Sequence, residues 1–362
     1  MHKYIGLDVH ATSCTAAVVD ARGKRQGHHV LETNGQVLVE FFRTLSGTLH
    51  VCLEEGSQAG WLVEILSPHV EQVVTVRVPE SRGAKSDERD AFGLAERLRT
   101  GAIEMGVYKQ VGPFATLRQL VKAHQMIVRD SARVQSRIKA VFRSRGVRVV
   151  GRAVYSPGKR EEYLRQLPAS SRAAALLLFE QYDALRPVRD HAEKQLVAES
   201  HKHAVTRMLE SCPGLGEIRV AQLVSAIITP ERFRTRAQFW SYCGLGIVMR
   251  SSSDWTQTPQ GRWVRGTVQQ TRGLNRNHNR LLKLVFKGAA TSVIQQHPDS
   301  TLRRDYDRLL AAGTKPNLAK VTLARKIAAI TLALWKKKEE YDPRKTPKPS
   351  ELVSSSAPAT VV

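Results

Sequence analysis

Tyr4-Ile5-Gly6-Leu7-Asp8-Val9 and His50-Val51-Cys52-Leu53-Glu54 are two apolar runs that each arrive at an acid. Lys85-Ser86-Asp87-Glu88-Arg89-Asp90-Ala91 then adds two acids three residues apart. Short apolar runs of this kind read as strands, which puts Asp8 and Glu54 at strand ends. Asp87 and Asp90 share a face if their segment is helical. Glu55 competes with Glu54, because side chains alternate along a strand and only one can share the face of Asp8. Glu54 is assigned because it continues the apolar run directly. Singly, each acid has an ordinary explanation: a strand-end Asp capping a turn, or carboxylates near a positive helix N-terminus. Their order on the elements points to a metal site. Two strand-end carboxylates and two on a helix face can hold a pair of Mg²⁺ ions, with Mn²⁺ as a substitute. Ions about 3.5–4 Å apart stabilise the attacking and leaving oxygens of a phosphodiester displacement.

The surrounding chain supplies the elements this site needs. Residues 3–9, 14–20 and 26–32 read as strands, 35–45 as a helix, 49–54 as a strand, 58–67 as a helix, 72–78 as a strand and 86–100 as a helix. Three strands followed by alternating helix and strand predict an α/β fold, a mixed ribonuclease-H-like sheet over residues 1–112. Gly101 to Pro113 reads as a connector. From Phe114 to Arg145 an apolar stripe (Leu117, Val121, Ile138 among others) opposes a basic face carrying Arg118, Lys122, Arg129, Arg133 and Arg137. A second helical region spans about 171–208 with a break expected at Pro187. Together they predict a helical hairpin over 113–208, an arm for dimerisation or for lying along nucleic acid. Residues 209–340 read as a mainly α-helical C-terminal domain, and 341–362 as a disordered tail.

Composition narrows the partners. The 362-residue chain carries a formal net charge of +23, which calls for a large polyanion, DNA or RNA. No apolar run reaches the length of a membrane span, so no membrane partner is expected. Asp8 interrupts the only apolar stretch at the N-terminus, which argues against a signal peptide. Cys14, Cys52, Cys212 and Cys243 form no C-x-x-C pair, which speaks against structural zinc and fits reduced thiols in a cytoplasm. No nucleotide-binding phosphate loop and no H-E-x-x-H is present, so neither an NTP motor nor a zinc protease is indicated.

Three further segments carry chemistry. Pro213-Gly214-Leu215-Gly216 between apolar helices resembles a helix-hairpin-helix turn, where Gly214 and Gly216 would let backbone N–H groups approach a phosphate. The bland alternative is a tight turn between packed helices. Arg250-Ser251-Ser252-Ser253-Asp254 follows a Gly-rich turn and by itself reads as a polar loop. Arg262, Arg265, Arg272, Arg276 and Arg280 interleave with Asn275, Asn277 and Asn279, with Trp255 and Trp263 nearby. That mixture suits phosphate contact and base stacking.

Taken in order, Tyr4 to Val9, Cys52-Leu53-Glu54, Lys85 to Ala91 and Leu94-Ala95 resemble the RuvC-like DEDD domain of insertion-sequence 110 family transposases. Pro213 to Gly216, Phe239 to Leu245, Ser251-Ser252 and Thr271 to Asn275 resemble the same family's C-terminal domain. The resemblance implies a DNA recombinase that excises and inserts its own mobile element. It also implies guidance by a noncoding bridge RNA that pairs with donor and target DNA, in a prokaryotic cytosol or nucleoid. A composite active site is implied as well, in which the acids of one subunit of a homo-oligomer, dimer or tetramer, work with a serine of another. By position Asp8, Glu54, Asp87 and Asp90 match the DEDD set and Ser252 the serine. Two departures stand out: Gly246-Ile247 where relatives often carry Thr-Pro, and Ser253 where a Gly follows the serine. The run of three serines leaves Ser251 and Ser253 as alternatives, and the segment 254–262 differs in length from relatives.

The expectation is a Mg²⁺-dependent, RNA-guided DNA transposase. A Holliday-junction-type nuclease would need the four acids but not Ser252. A non-catalytic nucleic-acid-binding protein would need only the charge.

Overall fold

The apolar run at residues 2–9 forms β1 (His2–Val9), and the two apolar stretches after it pair back on it as β2 (Ser13–Asp20) and β3 (Arg25–Glu32). The Asp20 carboxylate accepts from the backbone N–H groups of Arg22 and Lys24, closing the β2–β3 turn at 2.9 Å each. In the computed structural model, residues 1–77, 86–103, 106–107, 112–249, 255–265 and 271–345 are described. The chain divides into two compact units, Met1–Pro113 and Phe114–Val362.

In the first unit the remaining elements are α1 (Gly35–Thr44), β4 (Thr48–Glu54), α2 (Ala59–Leu66), β5 (Gln72–Val76), α3 (Asp87–Thr100) and β6 (Gly106–Val107). The strands lie in the order β3-β2-β1-β4-β5-β6. β1 is antiparallel to β2 and parallel to β4, and β5 is parallel to β4. This is the expected mixed, RuvC-like sheet. β6 is an addition: it pairs antiparallel with β5 inside the segment expected to be a plain connector. Two residues carry no readable period, so only the edge of β5 reveals them.

Alternation along the strands splits the core into two layers. Ile5, Leu7, Val51 and Leu53 pack with Leu38, Phe42, Leu62 and Leu66 of α1 and α2. On the other face Ala17 and Val19 meet Ala91, Phe92 and Ala95 of α3, while Cys52 and Val76 meet Leu94 and Leu98. Gly6 lies under α3 at very close range. A Cβ there would sit 1.9 Å from the Ala91 carbonyl oxygen and 2.7 Å from the Ala95 nitrogen. The helix rests on bare backbone of the central strand.

The second unit opens with α4 (Ala115–Arg143), then α5 (Pro157–Leu164) and α6 (Ala169–Ser200). α4 and α6 run antiparallel: Arg145 reaches Ser171 at one end, and Leu117 and Val121 share a core with Leu196 at the other. α5 is fastened to α6 by Arg160, which pairs with Asp183, bonds the Tyr155 carbonyl and lies 4.6 Å over the Phe179 ring. Pro187 does not break α6, contrary to expectation. Proline removes one N–H, but packing of Phe179 and Tyr182 on one side and Leu196 on the other against the hairpin's cores holds the helix through it. The helix stops at Ser200 rather than near 208, and a turn leads into α7 (Ala204–Glu210).

α8 (Glu217–Ile227), α9 (Arg236–Tyr242), α10 (Arg280–Gln296), α11 (Thr301–Ala311) and α12 (Pro316–Lys337) complete the mainly helical C-terminal part. Leu117, Val121 and Leu196 of the hairpin lie in the same core as Val224, Phe286 and Ile327. Four short strands, β7 (Ile247–Met249), β8 (Trp255–Gln257), β9 (Trp263–Arg265) and β10 (Thr271–Leu274), form two antiparallel pairs inside the part expected to be mainly α-helical. The expected tail is described only to the 3₁₀ turn Pro343–Lys345; the rest lies outside the described residues.

Gly6→Ala should lower the stability of the chain by about 2–3 kcal/mol or more, since a methyl cannot enter the β1–α3 contact without moving backbone. Gly93→Ala is the control. Gly93 is exposed in the middle of α3 with nothing within 4 Å of an added Cβ, so it should gain about 0.5–1 kcal/mol. Chemical denaturation of both variants checks the pair.

Candidate metal centre and nucleic-acid surfaces

β1 and β4 run parallel with Gly6 opposite Cys52 and Leu7 opposite Leu53. The next residues, Asp8 and Glu54, are therefore neighbours at adjacent strand ends. By alternation they take the face of Gly6 and Cys52, the one that α3 covers. Glu55 falls on the opposite phase, and its carboxylate meets Arg77 Nε at 2.5 Å. α3 begins at Asp87 and carries Asp87, Glu88 and Asp90 in its first turn, directly preceding the Ala91 and Ala95 that press on Gly6.

The structure brings Asp8 and Asp87 together and adds a residue that the sequence reading missed. His10 Nε2 lies 3.4 Å from Asp8 Oδ2 and 3.5 Å from Asp87 Oδ1. One donor atom from each of Asp8, His10 and Asp87 falls within 4.8 Å of the others. Asp90 is close enough for its charge to act on Asp8. Glu54 is exposed on the neighbouring strand end and is not part of that trio. The signal for His10 was its spacing: two residues beyond Asp8, it keeps the phase of the strand.

Burial raises the Asp8 carboxyl above its ordinary value of 3.8. His10 opposes this, and the charges of Asp87 and Asp90 add to it. A partly desolvated carboxylate beside two others is a site that a cation relieves. The donor set fits a divalent ion: hard carboxylate oxygens suit Mg²⁺ or Mn²⁺, and an imidazole favours the latter.

In the second unit Lys122, Arg129, Arg133 and Arg137 are exposed along α4, opposite buried Leu117, Val121, Val134 and Ile138. Arg133 pairs with Asp130 at 2.9 Å, and Arg118 is half-buried. Arg262 and Arg276 are exposed, while Arg265 and Arg272 lie in β9 and β10. Gly214 has a positive φ of 83°, and a Cβ there would sit 2.5 Å from the Ala289 carbonyl oxygen. Its lack of a side chain thus serves packing on α10. Gly216, the N-cap of α8, has open space around it. Beside it His201, Glu210 and Glu217 gather, His201 Nε2 being 3.3 Å from Glu217 and 3.5 Å from Glu210. Glu217 occupies the first turn of α8, where it would repel a phosphate; a contact here would fall to the Gly216 backbone.

The stretches flanking the serine run fold onto each other. Ile247 of β7 pairs with Leu274 of β10. The Asn275 side chain donates to the Ser241 carbonyl and hydroxyl oxygens at 3.2 and 2.9 Å, and its backbone N–H to the Gly246 carbonyl at 2.9 Å. Gly244, with φ of 67°, admits the His278 ring, which a Cβ would meet at 2.4 Å. Ser252, with Ser251 and Ser253, lies outside the described residues, between β7 and β8.

A mixed ribonuclease-H-like sheet whose central strands end in carboxylates, joined to a basic helical unit, defines a class of metal-using nucleic-acid enzymes. Residues 5–145 match the DEDD transposase family of the IS110 type, and residues 206–307 match the transposase IS116/IS110/IS902 family. The chain belongs to the IS110 family of transposases, with an N-terminal DEDD domain. No curated protein matches it significantly. Family membership makes it a DNA transposase or recombinase that binds DNA and uses divalent metal. No described helix is long and apolar enough to cross a membrane.

Because the folded Asp8 pKa is raised, the native state holds an extra proton between pH 3.8 and that raised value. Stability contributed by this group falls as pH rises through the window, and the cost persists above it. In metal-free buffer at pH 7, Asp8→Asn should raise the melting midpoint by a few degrees, and the gain should vanish below about pH 4. Thermal melts across pH would show the idea to be wrong if Asp8→Asn melts lower at pH 7.

Proposed function

We propose that the chain is an RNA-guided, Mg²⁺-dependent DNA transposase in which Asp8, Glu54, Asp87 and Asp90 hold the metal and Ser252 is the nucleophile. The observation that carries the metal half is the approach of the Asp87 and Asp8 carboxylates across the Gly6 contact. When bound, Mg²⁺ polarises the scissile phosphate and eases loss of the serine proton. The protein's own part is positional. β1 and β4 present Asp8 and Glu54 in register, α3 supplies Asp87 and Asp90, and His10 bridges Asp8 and Asp87 to hold their carboxylates in one orientation. The Ser252 hydroxyl would lose its proton and attack the phosphorus; the P–O bond to one flanking deoxyribose would break, that sugar leaving with a free hydroxyl. The serine–DNA phosphodiester so formed would conserve the bond energy until a DNA hydroxyl displaces the serine in rejoining. Serine is a poor nucleophile without activation. The acids of one subunit serving the serine of another would supply that activation in a homo-oligomer. The exposed cations of α4 and the segment from Arg262 to Arg276 would carry guide RNA and DNA, through phosphate contacts that position rather than specify.

Denaturing gels and peptide mass spectrometry on trapped reactions test the serine. Ser252→Ala should abolish the protein–DNA adduct and leave DNA binding within about two-fold. An adduct at Ser251 or Ser253 would move the assignment, and strand cleavage by Ser252→Ala with no wild-type adduct would favour a plain nuclease with water as nucleophile. Cleavage assays on Glu54→Ala and Glu55→Ala test the strand face. Loss of a metal-binding carboxylate should cost about 10²-fold or more, and loss of Glu55 should cost little; equal effects would refute the Glu54 assignment. For RNA guidance, the purified protein should retain the transcript flanking its gene, with affinity falling about 0.7–0.9 log units per log unit of salt for each phosphate contacted.

A further inference from the structure

Thr258-Pro259-Gln260-Gly261 folds β8 back onto β9 through a tight turn. Gly261 N–H donates to the Thr258 carbonyl at 2.8 Å, and Thr258 N–H donates to the Arg262 carbonyl at 2.8 Å. Proline suits the second position of such a turn, and glycine supplies the left-handed residue, here φ 76°, that returns the chain to the ladder. The register is then set: Trp255 opposite Arg265, Thr256 opposite Val264, Gln257 opposite Trp263. Opposed residues share a face, and so do residues two apart. Trp255, Gln257 and Trp263 therefore lie on one face of the hairpin, with the two tryptophans as diagonal neighbours.

Both indoles are open to solvent, Trp255 at 60% and Trp263 at 63%. Neither has a ring contact or hydrogen-bond partner among the described residues. Large aromatic surface left in water in this way marks a binding surface. The charge around it selects the occupant. From Trp255 to Pro298 the chain has no Asp or Glu and seven Lys or Arg, and Arg262 stands exposed at the turn. A second copy docking through the same face would bring two acid-free, cationic segments together. A polyanion with flat apolar faces meets no such repulsion. Diagonal neighbours on a hairpin are roughly 7–8 Å apart, about twice the 3.4 Å rise of stacked bases, which leaves room for one base between two rings.

We infer that the β8–β9 hairpin is a stacking platform for unpaired nucleobases, with Trp255 and Trp263 as its two rings and Arg262 against the adjoining phosphate. Resting on the reading of the chain as a nucleic-acid enzyme, it adds a site that grips single strand in preference to duplex. Duplex bases are already stacked and offer no free faces.

The test uses the full-length protein with a fluorescein-labelled 20-nucleotide single-stranded DNA and the same sequence as a duplex. Single strand should quench tryptophan emission and shield it from acrylamide, a measurement that needs no variant. Trp255→Ala and Trp263→Ala should each weaken single-strand binding about ten-fold, the duplex affinity should change less than about two-fold, and the corresponding Phe variants should restore most of the loss. Val264→Ala, on the opposite face, should bind like the wild type. Unchanged acrylamide access in the wild-type complex overturns the inference. So do equal losses for single strand and duplex, single-strand binding by the double Ala variant at wild-type strength, or a change of oligomeric state in that variant, which would make the face a protein contact. A wild-type protein that binds neither probe would overturn the proposed function as well; each of the other failures leaves that function standing.

Discussion

Bare backbone at Gly6 is the constraint on which the candidate metal centre depends. A helix crossing a sheet normally stands off by the height of its side chains, about 10 Å. Here the central strand offers no side chain, and the Ala91 carbonyl and Ala95 amide come within a methyl's reach of it. Small residues on the partners, Ala17, Ala91 and Ala95, keep the approach close along the strand pair. One turn before the contact, α3 begins with its acids; two residues after Gly6, β1 reaches Asp8. The closeness of packing thus becomes the closeness of carboxylates. The energy that gathers like charges comes from apolar burial beneath them, and the resulting repulsion is one that a bound cation would relieve.

The chemistry is divided between two kinds of surface. The first unit gathers acids at strand ends and at the start of α3, where burial partly desolvates Asp8 while Glu54, Asp87 and Asp90 stay exposed. The second carries cations on the outer faces of long helices, where they stay solvated and act through screened, long-range attraction. The cysteines take no part. Cys14, Cys52 and Cys212 are buried, and burial pushes each thiol up to about 12; Cys243 is raised further still. Such groups are packing residues rather than nucleophiles.

The second unit holds its hairpin by two cores, one toward the tip and one shared with the C-terminal helices. Between them, the exposed row on α4 is free to stay polar. The same unit folds Trp240 to Leu245 against Asn275 and His278, so that the chain entering and the chain following the serine run are tied together although some thirty residues separate them.

The sequence by itself determined the elements of the first unit and the basic face of α4. The periods are strong there: apolar runs bounded by turns, and a helical stripe from Leu117 to Ile138. It also placed Asp8 and Glu54 at strand ends, because an acid that closes an apolar run has nowhere else to sit. Tertiary structure decided what depends on partners distant in the chain. Which of Glu54 and Glu55 faces Asp8 follows from parallel pairing with β1. His10 joins the acids only once α3 is laid across the sheet. α6 runs through Pro187 because packing outweighs one missing hydrogen bond. The two-residue β6 and the strands β7 to β10 are too short to carry a period and exist because a neighbouring edge accepts them. Local pattern reports what a segment can bury; only the assembled chain supplies the surface against which it is buried.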